Sequence, residues 1–389
     1  MRILINAASA NMGGAYTYLK NVLSWFAQIA SDDSFIVYAP EKTNSQLHQQ
    51  IHSENIEFRD YPYTNTGGGA RLFFDQVTLP RIIKQDNIDI LFSSTGFGTF
   101  RSRCPEVILI RNPVYFNLEF QKKYEQLGRS LRRTKFRRWY SIRSMKNADV
   151  VLFPTKAMEN MVKQHTDLED RPTRAMHYGF DFDKFFRHSS DTFPWKERIQ
   201  KWKNEGNKIL LNISTYAVHK NFETLIEALG ILKAHGEKFK LLTSTSRDKT
   251  TDKAEYDNLK DIAKSTGVLE DWHELGYVPY EDLQQVYKSS DIYVFPSFTE
   301  SFGHSLVEAM ASGLPVIAAD MPVNREVCEP AGLYFPTFDN EMFAEILQKA
   351  LNNTQLLEEQ GALSLRRAEH FSWKEYSHQM LKIFKTLND

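Results

Sequence analysis

Short β-branched apolar runs alternate with segments of helical period along the whole chain, and that alternation admits few folds. A strand that is apolar at nearly every position must be covered on both faces. A helical segment between two such strands is a crossover that makes them parallel. In the first half the predicted strands are Arg2 to Asn6, Phe35 to Tyr38, Ile56 to Tyr61, Ile90 to Ser93, Val107 to Ile110 and Val150 to Phe153. The clearest helix is Tyr16 to Ile29, where Leu19, Val22, Leu23, Phe26 and Ile29 recur at three and four. The rhythm stops between Phe186 and Lys208, a polar stretch with Pro194, Trp195 and many charges that reads as a linker. It restarts with strand Ile209 to Ile213, helix Phe222 to Ala234 and strand Lys240 to Thr243. It then runs through helix Ala254 to Lys264, strand His273 to Leu275, helix Leu283 to Lys288 and strand Ile292 to Phe295. The last predicted elements are helix Ser305 to Ala311, strands Pro315 to Ala318 and Gly332 to Phe335, and helix Met342 to Leu351. The expected fold class is α/β, two doubly wound Rossmann-like domains facing across a cleft, over residues 1–186 and 187–373. Open sheets of this kind take ligands at the carboxyl ends of their strands, so the chemistry belongs to the loops that leave strands.

Composition narrows the class further. With 389 residues, 42% of them hydrophobic, the chain is too apolar to be disordered, and 48 basic against 49 acidic residues give no reason to expect nucleic acid. The two cysteines, Cys104 and Cys328, have no patterned partners for a zinc site and suit a reducing compartment. The opening residues read as a strand entering a loop rather than a secretory signal, and no apolar run reaches the roughly 20 residues that span a bilayer. A cytoplasmic protein is expected.

Three loops stand out. Asn11, Met12, Gly13 and Gly14 join the first strand to the first helix, and paired glycines there either let the backbone approach an anion or simply form a tight turn. The loop after Ile213 runs Ser214, Thr215, Tyr216, Ala217, Val218, His219, Lys220 to Asn221, a plausible N-cap. A lysine just ahead of a helix N-terminus opposes the helix dipole. It is therefore either a solvated surface residue or one side of a diphosphate site. In the third segment a strand ends at Phe295, a turn holds Glu300 and Gly303, and a helix carries Glu308 before Gly313 and Pro315 stop it. If most of that interval is helical, the carboxylates are separated by about 10 Å along the axis, too far to act as acid and base on one bond. The spacing suits two carboxylates that accept from hydroxyls at opposite ends of an elongated ligand, with the helix N-terminus at Gly303 to Ser305 free for phosphates. The alternative is two ordinary helix carboxylates, but Leu306, Val307, Ala309 and Met310 around Glu308 imply a buried helix, where an unpaired acid is expensive.

This segment, E-S-F-G-H-S-L-V-E-A-M-A-S-G-L-P-V from Glu300 to Val316, resembles the signature of the retaining, nucleotide-sugar-dependent glycosyltransferases of family 4, also called group 1, which have the GT-B fold. The likeness extends to Gly13-Gly14, to H-K-N at His219 to Asn221, to L-G-Y-V at Leu275 to Val278, and to Pro296-Ser297. The resemblance implies that Glu308 binds the donor's ribose hydroxyls and that Glu300 binds hydroxyls of its sugar ring. Ser301, Phe302 and Gly303 would offer backbone N–H groups to the diphosphate and sugar. Lys220 would neutralise the leaving diphosphate, while Tyr277 and Val278 would border the base. Ser214, Thr215 and His219 fall in the donor loop. The C-terminal helix, residues 374–389, would cross back onto the first domain. No cofactor is implied, since the nucleotide sugar is a substrate, and no metal.

Two positions depart from the family pattern. Many relatives carry an arginine where this chain has Thr215; a charged hydrogen bond is worth about 1.5–3 kcal/mol, and His219 or an arginine of the first domain is the expected substitute. Many also place a His-Asp pair where this chain has Arg111 and Asn112, which are expected to serve a phosphate and a hydroxyl. Asp181-Phe182-Asp183 looks like a metal-binding D-x-D, but its place at the linker argues for a hinge turn.

Residues 121–147 contain ten Lys or Arg and one acid, a local charge of +9 that leaves −10 for the rest of the chain. Tyr124, Leu127, Leu131, Phe136, Trp139, Tyr140 and Ile142 are interleaved with these cations. The stretch is a surface for anionic lipid headgroups, where a lipid-linked acceptor would also sit, or a solvated helix with its aromatics in the core; nucleic acid is the competing partner and ranks lower because the resemblance implies a lipid-linked sugar acceptor. Gly67 to Arg71 and Phe73 are expected to border the acceptor. The expected function is sugar transfer onto a glycan or lipid-linked saccharide of the cell surface, by a protein that works at the inner face of the membrane. A non-catalytic scaffold that keeps the fold, and a sugar-nucleotide epimerase, are the alternatives.

Overall fold

The computed structural model describes residues 1–10, 13–63, 68–168, 171–187 and 193–389, so Asn11, Met12 and Gly67 lie outside the described residues. The chain divides into two compact units, Met1–Gly179 with Ser372–Asp389, and Phe180–Phe371.

The sheet of the first unit contains β1 (Arg2–Asn6), β2 (Ser34–Ala39), β3 (Ile56–Asp60), β4 (Ile90–Ser93), β5 (Glu106–Leu109), β6 (Val150–Phe153) and β7 (Thr173–Ala175), in the order β3-β2-β1-β4-β5-β6-β7. Every pairing is parallel, and Ile3 lies opposite Phe35 on one side and Ile90 on the other. β4, β5 and β6 are buried at every position, as strands covered by helices on both faces must be. β7 is not evident in the sequence because Thr-Arg-Ala carries no apolar run and its arginine is exposed.

The second unit repeats the plan with β8 (Lys208–Asn212), β9 (Phe239–Thr243), β10 (Trp272–Glu274), β11 (Ile292–Phe295), β12 (Val316–Ala319) and β13 (Gly332–Phe335), ordered β10-β9-β8-β11-β12-β13. Strand order reverses between β1 and β4 in the first sheet and between β8 and β11 in the second. Those reversals open a crevice at the strand ends, because successive crossover helices go to opposite faces.

Residues 180–186, expected in the first domain, pack within the second unit. The Phe185 ring of the Phe182–Arg187 helix sits 5.8 Å from that of Tyr280 and 6.1 Å from that of Tyr287. The expected linker also holds a helix, Lys196–Asn204, which buries only Ile199 and Trp202 beneath an otherwise polar surface. The basic stretch forms two helices, Leu118–Gln126 and Arg132–Asn147, parted by Gly128 at φ 69°.

The C-terminal helix, Trp373–Asn388, belongs to the first unit. Its Tyr376 hydroxyl is 2.9 Å from that of Tyr18, Trp373 stacks on Tyr178 with centroids 5.7 Å apart, and Phe384 meets Phe26. Gly179 makes this return possible, since a Cβ there would lie 1.9 Å from the Trp373 backbone nitrogen. The clash is with main chain and has no side chain to absorb it. Gly179→Ala is therefore expected to destabilise the protein by about 1–3 kcal/mol, as overpacked cores do, which urea unfolding will measure. A variant as stable as the parent would show that the two backbones part easily.

Candidate active site

In the second unit the strand-order reversal brings two loops together. One leaves β8 and runs from Ile213 to Asn221; the other leaves β11 and runs from Pro296 to Gly303. The Phe298 N–H donates to the His219 carbonyl at 3.0 Å, and the Asn221 side-chain amide donates to the Pro296 carbonyl. Asn221 does precede the Phe222–Ala234 helix, but it does not cap it as expected. It takes the left-handed conformation (φ 53°, ψ 45°) and accepts from the Thr224 hydroxyl, so its side chain serves the junction of the loops.

Across that junction Lys220 Nζ donates to Glu300 Oε1 at 2.6 Å, with both side chains less than a fifth exposed. Burial pushes the Glu300 carboxyl up, but the charge and hydrogen bond of Lys220 outweigh it and hold the carboxyl below its usual range. Lys220 is thus no solvated surface lysine. Its neighbour His219 is neutral, since burial first and the Lys220 charge second push its pKa down to about 4. With no phosphate beside it, His219 therefore adds no second positive charge to the loop. Thr215 is exposed, and Ser214 uses its hydroxyl to donate to Asn212.

Gly303, at φ 83°, turns the chain into the His304–Ala311 helix, where a Cβ would meet Leu306 at 2.9 Å. Its N-cap is a glycine, which has no side chain to cap the helix, and the Leu306 N–H donates to the Gly303 carbonyl at 2.9 Å. Phe302 is buried, with its ring against Phe371. Within the same helix Glu308 accepts from the buried Tyr287 hydroxyl at 2.8 Å. Burial raises Glu308 to about 7, against the opposing pull of the Tyr287 hydrogen bond. Tyr277 and Val278 follow the edge strand β10, two strands from β8, and Tyr277 is 80% exposed.

The remaining expected residues lie in the first unit. Gly13 (φ 65°) opens the Gly14–Ile29 helix, and Arg111 places a guanidinium nitrogen 3.2 Å from where a Gly14 Cβ would stand. The Arg111 guanidinium also lies over the rings of Tyr18 and Tyr178, 5.3 and 5.8 Å from their centroids. Two features far apart in sequence, a glycine turn at a helix N-terminus and a cation, are thereby one feature of the fold. Asn112 is exposed, and its side-chain oxygen accepts from the Val114 N–H to cap the Pro113–Tyr115 turn. Asp181 begins the chain's entry into the second unit, its carbonyl accepting from Phe185. Sequence reasoning missed Tyr287, whose place on an amphipathic helix reads as core until Glu308 is set against it.

Two family profiles match the chain, "Glycosyltransferase Family 4" over residues 12–184 and "Glycosyl transferases group 1" over residues 194–364. The chain belongs to the group 1 glycosyltransferases. Among curated relatives, O-antigen chain mannosyltransferase B of Escherichia coli is 30% identical over 191 residues, 49% of either chain. Mannosylfructose-phosphate synthase of Agrobacterium fabrum is 24% identical over 61% of this chain and 53% of its own. The group 1 chain described here thus spans about half the length of the curated relatives it matches. Among solved structures, a sucrose-phosphate synthase from Thermosynechococcus elongatus superposes with a TM-score of 0.77 over 100% of this chain and 99% of its own at 18% identity. HepE of Anabaena in complex with UDP-glucose gives 0.73 over 99% and 100% at 17%. The fold of this group 1 protein is GT-B.

The titration of Glu308 yields a stability test. Its folded pKa of about 7 exceeds the ordinary carboxyl value, so between roughly pH 4.5 and 7 the native state holds the extra proton and wild-type stability falls as pH rises. Glu308→Gln abolishes that loss. The variant should gain on the wild type from pH 5 to pH 8, by no more than about 3 kcal/mol, in melting curves across that range. A pH-independent difference would mean that Glu308 is not a strained acid.

Proposed function

We propose that this protein is a retaining glycosyltransferase that moves a sugar from a nucleotide diphosphate sugar to a glycan or lipid-linked saccharide in cell-surface polysaccharide assembly. The observation that carries the reading is the Lys220–Glu300 ion pair at the β8/β11 reversal, beside an uncapped helix N-terminus and eight residues before a strained Glu308.

Each part suits one portion of the donor. The diphosphate takes the Gly303–Ser305 N–H groups and Lys220, Glu300 turns to the sugar hydroxyls, and Glu308 accepts from the ribose diol. Donor arrival exchanges one anion for another at Lys220, so the lysine stays paired while Glu300 is released to the sugar. As the glycosidic bond to phosphate breaks, negative charge grows on the departing oxygen, and Lys220 with the helix N-terminus stabilises it at that moment. This preset positive charge does what a divalent cation does in metal-dependent transferases. The acceptor hydroxyl attacks on the face the diphosphate leaves, and its proton passes to a phosphate oxygen. No protein nucleophile is needed. Arg111, beside Gly14, is the first unit's anion-seeking group and is given a phosphate in this reading. Asn112 offers its amide N–H groups to a hydroxyl.

Support for a nucleotide-sugar donor comes from the UDP-glucose complex of the Anabaena neighbour, and for a cell-surface product from the O-antigen mannosyltransferase and from WaaG, a structural neighbour described as acting in lipopolysaccharide biosynthesis. Melting in the presence of UDP, GDP or ADP, alone and with their common sugars attached, tests the donor site. A ligand at a hundred times its Kd adds about 2.7 kcal/mol. One nucleotide series should raise the melting temperature of the wild type and raise it less in Glu308→Ala. Equal shifts in both proteins would remove Glu308 from the site. Nucleotide binding without release from any sugar donor, acceptor present, would favour the scaffold reading.

The basic helices suit an anionic membrane. Tyr140 and Met145 of the Arg132–Asn147 helix are buried, whereas Phe136, Trp139 and the nearby Leu127 are 40%, 50% and 42% exposed among the cations. Among the described residues no helix is long and apolar enough to cross a bilayer, so the proposed attachment is peripheral. At about 1 kcal/mol per cation near the surface, binding to phosphatidylglycerol vesicles should be salt-sensitive and should fall tenfold or more in Trp139→Ala with Arg137→Glu and Arg138→Glu. Unchanged sedimentation with vesicles would return these residues to the solvated alternative.

A further inference from the structure

Glu308 sits in an unusual setting for a ligand-binding carboxylate. It lies on the mostly buried His304–Ala311 helix, and among the described residues no cation is set against it. The groups that face it are phenols, Tyr280 and Tyr287 from the Tyr280–Lys288 helix and Tyr293 from β11; Asp181 faces Tyr280. Of these, Tyr287 makes the hydrogen bond, donating at 2.8 Å to Oε2. Its ring is fully buried, with Phe185 6.1 Å away on one side and Tyr293 5.7 Å away on the other, so the hydroxyl has little freedom to leave.

A carboxylate held through one oxygen presents the other in a fixed direction, and among the described residues the hydrogen bond to Glu308 goes to Oε2 and leaves Oε1 to a ligand. We infer that Tyr287 is a positioning residue for donor binding, holding Oε2 of Glu308 so that the ionised carboxylate offers Oε1 to the donor's vicinal hydroxyls. The inference rests on the donor-site reading above. It assigns Tyr287 two effects, orientation and ionisation. A hydrogen bond donated to the charged form favours that form, and here it opposes the burial that pushes Glu308 up to about 7. Without the phenol the carboxyl is protonated over more of the neutral range, and a protonated carboxyl turns one oxygen into a donor and accepts more weakly through the other than the charged form does.

The test compares wild type, Tyr287→Phe, Glu308→Gln and the double variant, titrated calorimetrically from pH 6 to 9 with UDP, GDP and ADP, the tightest being used throughout. The titration of the nucleotide itself is common to all four and cancels. Wild-type affinity should rise through about pH 7, and in Tyr287→Phe that rise should move up by about one pH unit, leaving the variant about fivefold weaker at pH 7 from protonation alone, with only the smaller loss due to orientation remaining at pH 9. Glu308→Gln should bind weakly at every pH, and adding Tyr287→Phe to it should change nothing further. A loss in Tyr287→Phe that is uniform across pH, or that persists in the Glu308→Gln background, would make Tyr287 merely structural and overturn the inference. Weak Glu308→Gln beside an unaltered Tyr287→Phe would overturn it while sparing the donor site. Glu308→Gln binding as tightly as wild type would sink both. Should none of the three nucleotides bind, infrared titration of the carboxyl band, with Glu308→Gln as the difference reference, decides for Tyr287 alone: an upward shift in Tyr287→Phe supports its hold on Glu308, and no shift refutes it.

Discussion

The ion pair between Lys220 and Glu300 joins residues eighty positions apart, and only the neighbouring of β8 and β11 lets them meet. Removing either partner leaves an uncompensated charge in a site less than a fifth exposed, a state that buried groups avoid. The surrounding devices serve that meeting. Asn221 takes a left-handed turn to tie one loop to the other, the Phe298 N–H bonds the His219 carbonyl, and Gly303 turns the chain away at once into a helix that no side chain caps. Lys220 and Glu300 neutralise each other there, beside a helix N-terminus whose cap residue is a glycine. In the proposed reading a diphosphate takes the place of Glu300 at Lys220.

The two units share a plan but differ in how they use aromatic residues. In the first, Tyr18, Tyr178, Trp373 and Tyr376 bind the last helix to the sheet and set Arg111 over two rings beside Gly14. In the second, Phe185, Tyr287 and Tyr293 form the wall behind Glu308. In both cases the ring that packs the core also fixes the direction of a charged group, which is how a stable core positions chemistry.

Much of this was legible in the sequence. β1, β4, β6, β11, β13 and the Phe222–Ala234 helix lie where apolar runs and helical period put them, because parallel strands buried on both faces carry little but apolar residues. β7 and the Lys196–Asn204 helix escaped because each buries too little to leave a pattern. At the site, Lys220, Glu300 and Glu308 were visible as charges in awkward places. What the residues on their own did not show was pairing. The bond between Lys220 and Glu300 and the hold of Tyr287 on Glu308 depend on strand order, which no local pattern records, whereas the use of Asn112 as a cap is local, a bond two residues along the chain.

The most direct test of the account is a crystal structure of the protein with an intact nucleotide sugar, using whichever donor stabilises it most. The account predicts Lys220 Nζ on a diphosphate oxygen, Glu300 turned to a sugar hydroxyl, and Glu308 bridging the ribose diol with Tyr287 still bonded behind it. A nucleotide bound elsewhere, with Lys220 and Glu300 still joined at 2.6 Å, would contradict it.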